Sequence, residues 1–454
     1  MQNKLSFSSF VLIGIMLFAL FFGAGNLIFP AQLGQYAGEN IWPATVGFLL
    51  TGVGLPFLGI LAMGFSGSRN LQELADRVHP IYGLLFTATL YLTIGPFFAA
   101  PRTGAVAYEI GIASSIPESY TGIALFLFTF LFFAITLWLS LNPAKIVDRI
   151  GKLMSPIIIV LLLGLLIMAF VNPMGKIQPP TDAFADGAFL KGLTEGYNTM
   201  DALASLVFGI IIINVLRSMG LSDRMKIFSA TAKAGFVASG FLALLYVGIA
   251  YLGATTTERF GLFETGGPVL SNAASSYFGT FGTVMLAVVI ILACLTTSIG
   301  LITACGEYFH TIIPKVGYKT FVIIFTVFCF VVANFGLSNI VTYSVPVLML
   351  LYPLAVVLML LTFTSPLFRH ARFVYMSATA VAFLISVIDG IKTLYTTLGI
   401  ESNEWPAWLT AIVNFYDQLL PLYSDGLGWI LPVLIVMIFT GIIARVLKPA
   451  AIRM

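Results

Sequence analysis

Gly23, Ala24, Gly25 and Asn26 interrupt a run of apolar and small residues extending from Phe10 to Phe22, and Pro30 follows four positions later. Glycine costs a helix about 1 kcal/mol relative to alanine. Proline withholds a backbone donor from the preceding turn, and the Asn26 amide adds a polar group. At about 1.5 Å per residue, Phe10 to Phe22 makes roughly 20 Å of helix, so the break falls near the middle of a hydrocarbon layer about 30 Å thick. Unpaired backbone at that depth is tolerated only against protein or a water-filled cavity, so the break predicts a site for something polar. The same glycines also suit close helix packing of the small-xxx-small kind.

Two further groups carry chemistry. Arg102 and Glu109 stand seven residues apart on one helical face. Intramembrane charge is costly and faces a partner or a cavity, so the spacing predicts a structural ion pair. Thr296, Thr297 and Ser298 are consecutive hydroxyl residues inside an apolar segment. Such hydroxyls bond back to carbonyls of their own helix, and three together also make a patch of hard oxygen ligands. The histidines, His79, His310 and His370, lie near segment ends, and no HExxH or Ser/Lys arrangement accompanies them. An embedded enzyme is therefore not expected. A channel would show charged rings or a repeated filter loop, and neither is visible.

The elements that must position these residues are membrane helices. With 454 residues, 59% hydrophobic, 9% charged and a mean hydropathy of +1.01, the chain cannot present an ordinary soluble surface. An all-α membrane protein of about twelve spans is expected, with lipid around it and no nucleic-acid partner. The first span covers residues 9–35, and others run Trp42–Phe65, Ile81 to about Gly111 with a kink at Gly95-Pro96, Gly122–Leu139 and Leu153–Val171. The second set runs Asp201–Leu216, Phe228–Leu252, Val284 to about Phe309, Phe321–Phe335 and Asn339–Leu361, followed by Val374–Ile391 and Trp429–Leu447. Residues 255–279 suggest a re-entrant or interfacial lid. The external segment 393–427, with Trp405 and Trp408, suggests an interfacial helix, and Asp389 is expected exposed at the interface. Neither a basic leader nor a cleavage site precedes the first segment, so it should be retained. Cys294, Cys305 and Cys329 fall in or beside apolar segments, and disulfides are not expected.

Orientation follows from Lys and Arg. Seventeen of the 22, Lys4, Lys145, Arg149, Lys152, Lys448 and Arg453 among them, fall on one side when the N-terminus is cytoplasmic, against four outside. Both termini are therefore expected in the cytoplasm. Ser205 and Gly209, flanking Phe208, weaken the sixth span and suggest a second break. Breaks in spans one and six, five spans apart, predict an inverted repeat of residues 8–171 and 195–362, with accessory spans in 370–454, all forming one transporter domain.

FALFFGAGNLIFP, GPFFAAPRTGAVAYE and ACLTTSIG together resemble the bacterial branched-chain amino acid:cation symporter family, nearly over the full length. That family sits among transporters of LeuT-like fold. The resemblance implies uptake of leucine, isoleucine and valine across the bacterial cell membrane with sodium as coupling ion and no other cofactor. It assigns the substrate carboxylate to Gly23, Ala24, Gly25 and Asn26, where N–H groups at a helix start favour an anion. It assigns the ammonium group and apolar side chain to the stretch Ser205, Phe208 and Gly209. Sodium falls to the carbonyls of Ala19, Phe22 and Ala293 and the hydroxyls of Thr296 and Thr297. In proton-driven relatives a lysine of span five can occupy this ion position, and residues 153–171 contain none. A transporter of another small amphipathic solute, coupled to protons or sodium, is the alternative.

Overall fold

The computed structural model describes residues 7–113, 116–142 and 154–447. Lys4, Lys145, Arg149, Lys152, Lys448 and Arg453, used for orientation above, lie outside them, as does Leu153 at the expected start of span five. The elements are helices. The first spans are α1 (Phe7–Phe21) with α2 (Ala24–Ala37), then α3 (Ile41–Leu49) with α4 (Leu55–Ser66). A short α5 (Leu71–Ala75) leads to α6 (Pro80–Leu92) and α7 (Ala99–Gly111), joined by a π-type turn at Thr93–Phe97. There Gly95 leaves helical geometry and Pro96 follows, as the kinked third segment required. Next come α8 (Thr121–Ser140), α9 (Ser155–Val171), the short α10 (Asp182–Ala185) and α11 (Ala188–Glu195), and α12 (Asp201–Ser218). The remainder is α13 (Arg224–Phe260), α14 (Gly266–Ile312), the hairpin of α15 (Tyr318–Ala333) with α16 (Leu337–Thr364), α17 (Arg372–Thr397), α18 (Ala407–Leu419) and α19 (Ile430–Leu447).

Eight helical stretches among the described residues are long and apolar enough to cross a membrane, and four shorter apolar helices accompany them. Their outward faces are apolar: Phe126, Phe130 and Trp138 on α8, Val327 and Val331 on α15, and Ile438 and Phe439 on α19 are all exposed. A water-soluble chain could not display that belt, and it identifies an integral membrane protein. Apart from polar residues such as Asn26, Arg102 and Asp201, the centre is closed by buried aromatics such as Phe18, Phe22, Phe48, Phe208, Tyr246 and Tyr352. The three cysteines are buried and free.

Two local expectations change. The segment 266–278 is helical, and at Gly279 (φ 59°) the chain turns sharply, so α14 is a helical arm joined to a long span. Small Gly266 lets that arm lie directly on the Ile28 carbonyl of α2. Asp389 is buried within α17, not exposed, because Lys392, one turn on, lies over the Tyr423 ring at 4.8 Å and folds the α18–α19 connection onto it.

The outer half of the first span is fastened by small residues and side-chain bonds. A Cβ on Gly34 would collide with the Ala250 carbonyl of α13, and one on Gly253 with the Ala31 carbonyl of α2. The Gln32 amide donates to Glu264 O at 2.6 Å, Gln35 donates to Gly261 O at 3.0 Å, and the Tyr36 hydroxyl donates to Phe263 O at 3.2 Å. Thus α2 is anchored to the corner between α13 and α14. Gly34→Leu should force these helices apart and cost about 1–3 kcal/mol or more, as overpacking does. Its thermal midpoint in detergent should fall, whereas Gly122→Ala, where a Cβ meets nothing within 4 Å, should leave it unchanged.

Candidate functional site

The first span is interrupted at Phe22 and Gly23, between α1 and α2, at the leading edge of the predicted stretch; Ala24, Gly25 and Asn26 already form the first turn of α2, and Pro30 lies within that helix. Phe22 N–H closes α1 on Phe18 O at 2.7 Å. Gly23 is extended, with φ −127° and ψ −153°, so its N–H has no helical acceptor. The Asn26 side chain supplies one, Oδ1 accepting from Gly23 N–H at 3.0 Å. The same amide then turns its Nδ2 outward, donating to Asp201 Oδ2 at 2.5 Å and to the Tyr246 hydroxyl. That hydroxyl donates in turn to Asp201 Oδ2 at 2.8 Å. All three residues are buried. One amide thus ends the break in α1–α2 and ties it to the start of α12 and the middle of α13.

A second interruption exists, but upstream of the predicted one. The chain leaves α11 through a tight turn at Gly196–Thr199 and passes Met200 in left-handed geometry (φ 64°) before entering α12 at Asp201. Ser205, Phe208 and Gly209 are helical throughout. The Ser205 hydroxyl bonds back to Ala202 O at 2.6 Å. A Cβ on Gly209 would stand 2.6 Å from the Met63 side chain, so that glycine serves packing between α12 and α4.

The expected Arg102–Glu109 pair also gives way to another arrangement. Nη1 of Arg102 donates to Asn198 O at 2.9 Å and Nη2 to Thr199 O at 3.2 Å, satisfying carbonyls that the broken helix leaves open. Its Nε is buried with no partner among the described residues. Glu109 instead bonds Thr265 at the root of α14. Two turns of helix separate the residues, and each finds polar backbone or hydroxyl groups nearer at its own level.

These groups border a small cavity of about 20 Å³ at the interrupted helices, whose lining includes Gly23, Ala24, Gly25, Asn26, Arg102, Thr199 and Asp201. Its apolar lining includes Leu20, Phe21, Ile94, Phe208 and Leu301, and the rings of Phe21 and Phe208 meet edge on at 5.7 Å. Of the residues predicted in span six, Phe208 reaches this space, while Ser205 and Gly209 do not line it. The volume holds a water or two. A larger ligand would need its walls to part.

The residues proposed for sodium are partly brought together. The Thr296 hydroxyl lies 2.7 Å from Ala19 O and 2.8 Å from Ala293 O. Thr297 is displaced by one carbonyl, donating to Leu20 O at 3.0 Å, and it borders the cavity. Phe22 stands in the break itself, its ring stacked on Phe18 at 5.0 Å. Among the described residues, no three His, Cys, Asp or Glu are grouped as metal ligands. Sequence reasoning missed Asp201, Tyr246 and the true partners of Arg102. An acidic residue opening an apolar segment was a usable signal for Asp201, whereas Tyr246, mid-helix among apolar neighbours, gave none.

Among solved structures, the chain resembles Mhp1, a nucleobase-cation-symport-1 family transporter in a closed conformation with bromovinylhydantoin bound. The TM-score is 0.56 over 92% of this chain and 95% of that one, at 14% identity. MhsT in complex with L-phenylalanine gives a TM-score of 0.53 over 83% and 98%, at 16% identity. At such identities the likeness concerns the fold alone, and together with the interrupted helices it defines an all-helical membrane protein of LeuT-like fold. Residues 6–447 match the family described as branched-chain amino acid transport protein, and the chain belongs to that family. Its relatives include the branched-chain amino acid permeases BrnQ and BraB of Bacillus subtilis (strain 168), 46% and 45% identical over 95% of this chain and 96% and 94% of theirs. The branched-chain amino acid transport system 2 carrier protein of Pseudomonas aeruginosa is 40% identical over 96% of each chain. The family is one of transport proteins, not enzymes.

Tyr246→Phe removes one donor from a buried carboxylate without changing the ring's shape. The loss should cost about 1–3 kcal/mol, the penalty of stripping a buried acceptor. A lowered thermal midpoint in purified protein, with the chain still inserted, is the outcome that checks it.

Proposed function

We propose that the protein carries leucine, isoleucine and valine into the bacterial cell together with sodium, by alternating access to a site at the two interrupted helices. One observation carries this reading: the cavity lining combines interrupted backbone and a cationic side chain with aliphatic and aromatic groups. An amino acid with an apolar side chain combines the same two chemistries. Its carboxylate is received by the N-terminal turn of α2, at Ala24 and Gly25, since Gly23 N–H is already taken by Asn26. The first N–H groups of a helix have no acceptor within it, and the helix dipole favours negative charge there. Phe208 covers the aliphatic chain. The relatives' names, permeases and carriers for branched-chain amino acids, support the substrate class.

Sodium is held by the neutral oxygens of Ala19, Ala293 and Thr296, with Phe22 and Thr297 beside them. Hard oxygen ligands suit a hard cation, and no lysine from α9 competes for the position. The ion thereby joins α1 to α14 next to the break, so it raises substrate affinity by the factor that substrate raises ion affinity. Residues 8–171 and 195–362 act as the two inverted halves, residues 370–454 as accessory helices, and both termini face the cytoplasm of a bacterial plasma membrane. Both halves of the first span pack on α13 and α14, and α2 is held more firmly there, with its further bonds to the corner at residues 261–264, so α1 is the half that moves about the break.

Two expectations test this reading. A Cβ on Gly25 would lie 2.8 Å from Arg102 Nη2 and 3.2 Å from the Phe29 ring. Gly25→Leu should therefore abolish leucine binding while the protein still inserts, and near-normal affinity would refute the carboxylate site. In proteoliposomes, wild-type leucine uptake should follow a sodium gradient. Thr296→Ala should raise the sodium concentration giving half-maximal uptake by roughly tenfold, the order expected for one lost polar ligand. Thr297→Ala, whose hydroxyl reaches Leu20 instead, should shift it less. Uptake driven by a pH gradient without sodium would show that the ion has been misassigned.

A further inference from the structure

We infer that Asp201 is the seat of the substrate's ammonium group, and so the residue that restricts this cavity to zwitterions. The assignment rests on reading the cavity as the amino acid site, and it replaces the carbonyls of the 205–209 stretch, which are tied up inside continuous α12.

Asp201 is about 3% exposed and lines the cavity. Its side-chain partners are neutral: Asn26 Nδ2 and the Tyr246 hydroxyl, both reaching Oδ2, and Thr199. They orient the carboxylate without neutralising it. Arg102 acts on it electrostatically, yet its two terminal nitrogens are committed to Asn198 O and Thr199 O. A buried carboxylate is stable only when its charge is met. A cationic ligand head supplies what Asn26 and Tyr246 cannot.

The placement of charges fits one ligand chemistry. Arg102 Nη2 stands within 2.8 Å of where a Gly25 Cβ would be, on the side of the break where the α2 N–H groups begin. Asp201 lies across the neighbouring residue, Asn26. An anion-favouring and a cation-favouring group thus flank residues 25 and 26, as the carboxylate and ammonium of an α-amino acid flank one carbon. A fatty acid of the same shape would leave Asp201 unpaired, and an amine would leave Arg102 and the helix start unpaired. Each mismatch strands a buried charge, and the site rejects both.

The test uses the purified full-length protein in saturating sodium, with competition against labelled leucine by unlabelled leucine and by 4-methylpentanoate, which is leucine without its ammonium group. Wild type should prefer leucine by roughly 30-fold or more, the order expected when one partner of a buried hydrogen-bonded charge pair is removed. In Asp201→Asn the preference should collapse to below about fivefold because leucine binding falls while 4-methylpentanoate binding holds or improves. Tyr246→Phe, which loosens the carboxylate but keeps its charge, should weaken leucine yet retain most of the preference. Wild type binding 4-methylpentanoate within threefold of leucine would overturn the assignment without recourse to any variant, including one that fails to fold. An unchanged preference in Asp201→Asn would overturn it too. So would loss of leucine binding that higher sodium restores with the preference intact, since the carboxylate would then serve the ion. Failure of wild type to bind leucine, isoleucine or valine would instead overturn the site reading, and this assignment with it.

Discussion

Polar backbone at the middle of a membrane protein has to find partners within the protein, and most of this site follows from that requirement. Hydrocarbon offers no hydrogen bonds, so an interrupted helix costs several kcal/mol unless each exposed group is met. Asn26 meets the Gly23 N–H, and Arg102 meets the carbonyls of Asn198 and Thr199. Each of these residues comes from the break it serves or from the helix beside it. Having satisfied the backbone, each still has capacity left: Asn26 through Nδ2 and Arg102 through Nε. The polar lining of the cavity is built from that surplus.

The same requirement links the two interruptions. Asp201 opens α12, Asn26 closes the break in the first span, and Tyr246 belongs to α13, yet they form one hydrogen-bonded cluster. In a low-dielectric interior such a cluster is strong when complete and costly when any member is missing. A displacement of α12 relative to α2 therefore breaks several bonds at once, which favours discrete arrangements over gradual sliding. Around this cluster the packing is close. Glycines at 34, 253 and 266 bring backbones together where any side chain would intrude, so α2, α13 and the start of α14 behave as one wall.

The two ends of the first span consequently experience different constraints. Its outer half is clasped by Gln32, Gln35 and Tyr36 to the corner at residues 261–264. Its inner half meets α14 through the hydroxyls of Thr296 and Thr297, on the carbonyls of Ala19 and Leu20. Those carbonyls sit in the last turn of α1, where no following residue of the helix can accept the role of donor. The hydroxyls fill that gap, and a cation could fill it equally well.

Composition and pattern alone were enough to establish a helical membrane protein, because a chain so apolar has no other way to hide its backbone. The first break was legible for a local reason. Gly23 leaves the helix readily by its own covalent structure, whereas Gly25 and Pro30, which share that tendency, fall within α2, so the break comes earlier in the chain than they imply. The hydroxyl cluster in α14 was legible in the same way. The second break was not, since Ser205 and Gly209 look like helix breakers but are held in helix by back-bonding and by contact with Gly59 and Met63 of α4. The real interruption passes through Met200, which has no intrinsic preference for left-handed backbone and adopts it because Arg102 and the α12 start fix the chain on either side. Charge pairing was equally a tertiary matter. Arg102 and Glu109 share a helical face, yet Arg102 turned to carbonyls 96 and 97 residues away and Glu109 to Thr265. Sequence spacing determines which residues of one helix can meet. Only the packing of helices decides which polar group lies nearest, and in a medium without water the nearest polar group takes the bond.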